Sequence, residues 1–213
     1  MEVILSLYAL PYNEEYPVVC FDERPCFLIG DTKIPIPMKE GQLAKQNYAY
    51  SKHGSCCVLA AIEPLTGQRF ADIEKRRTTK EFALFMLKLA KSYPKAKRIK
   101  VVLDNLNTHT YASFYKVFDA ETAAWLTQRI EFVYTPKSAS WLNMIEIEFS
   151  ALSKQCLDRR IPCMEKLRKE VLAYFKERSD KQIKINWQFT PQIARKKLNR
   201  RYAKVNEVNL KYK

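Results

Sequence analysis

Two apolar runs that end on aspartate set the constraint any fold of this chain must meet. Pro17-Val18-Val19-Cys20-Phe21 leads straight into Asp22, and Ile99-Lys100-Val101-Val102-Leu103 leads straight into Asp104. Runs this short and this rich in β-branched residues read as strands buried on both faces, of the kind found in sheets covered by helices. A carboxylate at the end of a buried strand is costly unless something positive meets it. An aspartate in that place can also cap a helix or open an Asx turn. The rest of the chain has to decide which.

The order of elements around these runs is legible. CFLIG (26–30) follows Glu23-Arg24-Pro25, and the pair of runs reads as a hairpin. Residues 31–52 have no clear period and read as a loop or flap. Residues 55–64 and 68–74 read as strands joined by a turn at Leu65-Thr66-Gly67. Phe82, Phe85, Met86 and Leu89 recur at helical spacing, with Thr79 as a candidate N-cap and Pro94 beyond the end. Helix is expected within 110–128, a strand at 130–134, a strongly apolar helix over 141–158, and an amphipathic one over 164–178. Strands paired early and separated by helices later predict an α/β fold, a mixed sheet flanked by helices with its ligand site at the strand ends.

Composition removes several function classes. Four glycines in 213 residues, with no GxGxxG or GxxxxGK[ST], argue against a glycine-rich phosphate loop. Six cysteines without a CxxC pair, and only His53 and His109 as histidines, read as reduced thiols rather than a zinc site or a disulfide framework. No run reaches the length of a membrane span and no signal peptide is recognisable, so a soluble, intracellular chain is expected, with no membrane partner.

The net charge of +14 points to a polyanionic partner. From Lys181 to Lys213 there are ten Lys or Arg against the single acid Glu207, so this tail supplies +9 of the total. Thr190-Pro191 is an N-cap and first-turn pair, and Ala194, Leu198 and Tyr202 form a narrow apolar stripe. A helix docked by that stripe would present Arg195, Lys196, Lys197, Arg200 and Arg201 to phosphates. The chain divides into a lead-in segment (1–16), a main domain (17–180) and this basic tail (181–213).

Three acids sit in apolar company: Asp22, Asp104 and Glu146, the last within WLNMIEIEFSAL. Clustered carboxylates raise one another's pKa, and divalent cations resolve the conflict; Mg²⁺ or Mn²⁺, as a pair, can clamp the attacking and leaving oxygens of a phosphoryl transfer. Glu146 and Glu148 lie about 200° apart around a helix, and Asp22 and Glu23 point to opposite faces of a strand. Spacing alone does not choose within either pair.

VVCFDE, VVLDNLNTH and YTPKSASWLNMIEIEFSALSKQCLDRRIP together resemble the catalytic domain of bacterial insertion-sequence transposases, the mariner-like members of the DDE superfamily. The resemblance runs from about Pro17 to about Tyr202. It implies a ribonuclease H-like fold, a mixed five-stranded sheet flanked by helices. It also implies catalysis and metal binding by Asp22, Asp104 and Glu146, with Asn105, His109 and Asn143 beside them. DNA would be the partner, and the activity metal-dependent strand cleavage and strand transfer in DNA transposition. It further implies a homodimer on paired DNA ends, in a bacterial cytoplasm and associated with the nucleoid. Where many members read PYSPDLNPIE this chain has PKSASWLNMIE, with Ser140-Trp141 at the family's Pro-Asp. Complete members carry an N-terminal helix-turn-helix region, expected here from a separate region or chain. The alternatives are a truncated DNA-binding remnant and a ribonuclease H-like repair nuclease.

Overall fold

The computed structural model describes residues 1–206 and 208. Its sheet is built from β1 (Val18–Asp31), β2 (Tyr50–Glu63), β3 (Gln68–Glu74), β4 (Ile99–Leu103) and β5 (Ile130–Tyr134), in the spatial order β3-β2-β1-β4-β5. β1, β2 and β3 are antiparallel neighbours, while β4 runs parallel to β1 and β5 parallel to β4. The mixed five-stranded sheet expected from the sequence is the one found.

Alternation along the strands feeds two apolar layers. On one side Val19, Phe21, Leu59 and Val101 pack against α2 (Thr79–Lys91), α3 (Ala112–Tyr115) and α4 (Ala120–Arg129). On the other, Cys20, Val58, Ile62 and Val102 pack against α1 (Glu2–Tyr8), α5 (Ile145–Gln155), α6 (Met164–Asp180) and α7 (Pro191–Lys197). Short α1 thus belongs to the core through Ile4 and Leu5. A last helix, α8, spans Asn199–Val205.

The structure corrects three expectations. The hairpin at Glu23-Arg24-Pro25 does not form: β1 runs unbroken through it, with Pro25 opposite Cys57. β4 pairs with β1 only at Val18–Cys20, so beyond that point β1 has a strand neighbour on one side alone, and a residue without an N–H is tolerated. The expected 141–158 helix is broken into a 3₁₀ turn at Ser140–Leu142 and α5, because Asn143 is extended between them. The N-cap of α2 is Thr78 rather than Thr79; its side chain and that of Glu81 form a capping box.

Candidate active site

The parallel register places Cys20 opposite Val102, so Asp22 in β1 and Asp104, one residue past β4, lie level at the same end of the sheet. Asp22 is half-buried and accepts the Glu23 backbone N–H at 2.7 Å. Burial pushes its carboxyl up to about 7; the Glu23 amide pulls the other way, and the charges of Asp104 and Glu146 push it up further. The three acids therefore form one electrostatic cluster.

Asp104 Oδ1 is buried and has no aligned donor. Nδ1 of His109 lies 2.7 Å from it, but the ring N–H is directed to the Asp104 carbonyl oxygen at 3.2 Å. His109 is fully buried, and its Nε2 faces Glu23 Oε1 at 3.5 Å. Burial alone would lower the imidazole pKa, but Glu23 and Asp104 outweigh it and hold it above its ordinary value. Asn143 donates from Nδ2 to the Phe21 carbonyl at 2.8 Å, pinning the start of α5 to the strand residue before Asp22. Asn105 is exposed and lines a cleft of about 380 Å³ with Asp104, Thr135, Lys137 and Ser140.

On α5 the two glutamates separate completely. Glu148 is buried, with Arg69 at 2.9 Å and Arg178 at 2.7 Å. Glu146 is exposed on the first turn, contrary to its apolar sequence neighbours, and has no ion-pair partner among the described residues. The neighbours Ile145 and Phe149 face the core while Glu146 does not. As the side chains stand, no three acid, histidine or cysteine residues among the described ones converge closely enough to hold a metal ion.

Residues 17–168 match the family model described as DDE superfamily endonuclease. The chain belongs to this family. Its fold is similar to that of the Mos1 mariner paired-end complex with Mn (TM-score 0.56, 14% identity, covering 88% of this chain and 61% of that one). It is similar also to the Mos1 transposase paired-end complex with left transposon end (0.58, 15%, 85% and 55%). A third likeness is to the Mos1 strand transfer complex (0.58, 15%, 85% and 53%). The chain thus spans between 53% and 61% of the length of these structures. None of the curated proteins compared with the chain matches it.

The basic tail departs from the sequence expectation at Arg195 and at Leu198. Arg195 is not presented to solvent as a phosphate ligand: its guanidinium grips Glu2 at 2.8 and 2.6 Å, and Tyr202 donates to the same carboxylate at 2.8 Å. The cause is α1, whose first turn meets the tail. Lys196, Lys197, Arg200 and Arg201 are exposed. Thr190 caps α7 as expected, but the helix breaks at Leu198, so the apolar stripe is not continuous. Sequence reasoning passes over Glu23 as the second partner of His109. It also passes over Arg24, which alternation alone would place on the same face as Asp22. Among the described residues no helix is long and apolar enough to cross a membrane.

Proposed function

We propose that the chain is the catalytic domain of a DNA transposase, cutting strands at the ends of a mobile element and joining the freed ends to target DNA. What supports this is the nearness of Asp104 and Glu146 to Asp22, whose carboxyl they push up, with no arginine or lysine ion-paired to any of the three among the described residues. The Mos1 complexes, formed with transposon ends and with Mn or Mg, support the reading.

The residues fit divalent cations: hard oxygen donors, mutual repulsion to be relieved, and a buried Asp104 Oδ1 with no aligned donor. Asp22 and Asp104 would hold Mg²⁺ or Mn²⁺, two ions in this reading, with exposed Glu146 turning inward to complete the set. The ions would supply Lewis acidity and an activated water. His109, wedged between Asp104 and Glu23, would position the end of β4 at Asp104 through the hydrogen bond to its carbonyl. Asn143 fixes where α5, and therefore Glu146, begins. In cleavage, water oxygen bonds to phosphorus and the P–O3′ bond breaks, leaving a 3′-hydroxyl. In transfer, that hydroxyl attacks a target phosphodiester, releasing the target's own 3′-hydroxyl.

End recognition by a helix-turn-helix region, assembly as a homodimer on paired ends, and a bacterial cytoplasmic, nucleoid-associated setting complete the proposal. Lys196, Lys197, Arg200 and Arg201 would add phosphate contacts. The test is nicking of a labelled duplex carrying the element's end, in Mg²⁺ or Mn²⁺, with the end-recognising region supplied. Asp22→Asn, Asp104→Asn and Glu146→Gln should each lower the rate by at least about a hundredfold while leaving the circular dichroism spectrum unchanged. Wild-type rates in Asp104→Asn would return that aspartate to a turn-forming role.

A further inference from the structure

We infer that the nucleic-acid backbone leaves the acid cluster over a basic rim formed by Arg24 and by Lys75, Arg76 and Arg77. This rests on the DNA-cleaving function proposed above, and names the path its substrate takes.

The strand registers bring the two groups together. Asp22 lies opposite Ala60, and Ala60 opposite Ala71, so these three residues mark one level across β1, β2 and β3. Pro25 lies opposite Cys57, and Cys57 opposite Glu74, the last residue of β3. β3 runs in the same direction as β1, so the chain emerging from it at Lys75 does so at the end of the sheet that carries Asp22 and Asp104. At about 3.3 Å per residue and 4.8 Å per strand, Lys75 stands roughly 15 Å from Asp22. A DNA strand covers that span in about four or five nucleotides.

Among the described residues no ion pair neutralises the charges on this rim. Lys75, Arg76 and Arg77 are exposed, and none forms an ion pair among the described residues. They are held in place at both ends, by the pairing of Glu74 with Cys57 and by the capping box that begins at Thr78. A three-residue loop fixed on both sides presents its cations with little ordering cost. Arg24 lies between them and the acids. It sits two residues beyond Asp22 on the same face of β1, and its Nε is buried without a hydrogen-bond partner among the described residues. Arg24 also lines a pocket of about 210 Å³ with Cys26, Leu157 and Arg159. A partly buried guanidinium with an unmet donor beside a phosphoryl-transfer site calls for an anion.

The experiment is equilibrium binding of a short fluorescein-labelled duplex of arbitrary sequence to the full chain, in EDTA, over about 50 to 200 mM NaCl. The triple variant Lys75→Ala/Arg76→Ala/Arg77→Ala should bind roughly tenfold to a hundredfold more weakly, and its log–log salt slope should be shallower by about two to three. Arg24→Ala should reduce the slope by about one, and Arg24→Lys should restore it. Lys91→Ala/Lys95→Ala removes charge at the far end of α2, about 20 Å away, and should change little. Wild-type affinity and slope in the triple variant would overturn the inference, as would an equal loss in Lys91→Ala/Lys95→Ala. Because EDTA prevents cleavage, failure here is separate from failure of the nicking assay.

Discussion

Glu148, on the inward face of α5, meets Arg69 at 2.9 Å and Arg178 at 2.7 Å, whereas Asp22 and Asp104 at the end of the sheet meet neither arginine nor lysine among the described residues. All three are acids drawn into the body of the protein. Around Glu148 the fold supplies its own cations: Arg69 also donates to the carbonyls of Gly67 and Ile183, so the cluster ties β3, α5 and the chain after α6 together. Around Asp22 and Asp104 it supplies a further carboxylate, Glu146, and of basic groups only the imidazole of His109 among the described residues. An acid whose counter-charge is built in serves structure, and an acid whose counter-charge is withheld is, in the function proposed above, kept for an ion from outside.

Neutralising an acid should therefore have opposite effects in the two regions. The largest expected change is in Glu148→Gln, which leaves two guanidinium groups facing a neutral amide. It should destabilise the protein by about 3–5 kcal/mol, lowering Tm by roughly 6–20 °C. An unchanged melting curve would place Glu148 among the dispensable acids and dissolve the contrast.

Asp22→Asn should do the reverse. The folded protein holds the Asp22 proton up to about pH 7, against an ordinary aspartate value of 3.8. Stability attributable to this group is therefore intact below about pH 4 and falls as pH rises toward 7. In EDTA at pH 8, Asp22→Asn should gain roughly 1–3 kcal/mol in urea unfolding, and the gain should vanish below about pH 4. A loss at pH 8 would mean that Asp22 is as structural as Glu148. Millimolar Mn²⁺ should raise wild-type stability by about 1 kcal/mol, and should do nothing in Asp104→Asn.

These contrasts show how much the sequence carries. The two runs ending in Asp22 and Asp104 are visible because burial on both faces leaves an unmistakable apolar text. The helices of residues 79–91 and 164–180 are visible because their core-facing residues repeat at helical spacing. The geometry of one helix says that Glu146 and Glu148 oppose each other, but the residues that decide between them stand 79 positions away at Arg69 and 30 away at Arg178. Glu23-Arg24-Pro25 has the composition of a turn, and only pairing with β2 across the long intervening loop makes it strand. Charge counting favours the tail, with its ten cations, over Lys75, Arg76 and Arg77; strand register alone puts those three at the acid end of the sheet.

The smallest expected effect tests the tail. Arg195, above all, and Tyr202 pull the Glu2 carboxyl down to about 2 from the ordinary glutamate value of 4.5. Its contribution is present above about pH 4.5 and is lost as pH falls toward 2. Because the pair is about one-third exposed, Glu2→Gln should cost less than about 1 kcal/mol at neutral pH and nothing near pH 2. Thermal melts at the two pH values would read this, and a loss that persists near pH 2 would show that Glu2 acts through packing instead.

Pro25 has a consequence for the molecule's behaviour in a crowd. Past Cys20, β1 leaves one flank of its backbone without a strand beside it, and an uncovered flank of this length is a template on which an extended segment of another molecule can zip. A proline near the middle of that flank deletes a donor such a ladder would need, and on the same flank the Ile29 N–H is already taken up by the Ile161 carbonyl at 3.0 Å. The residue that looks like the end of a strand in the sequence thus keeps a continuing strand from recruiting a stranger.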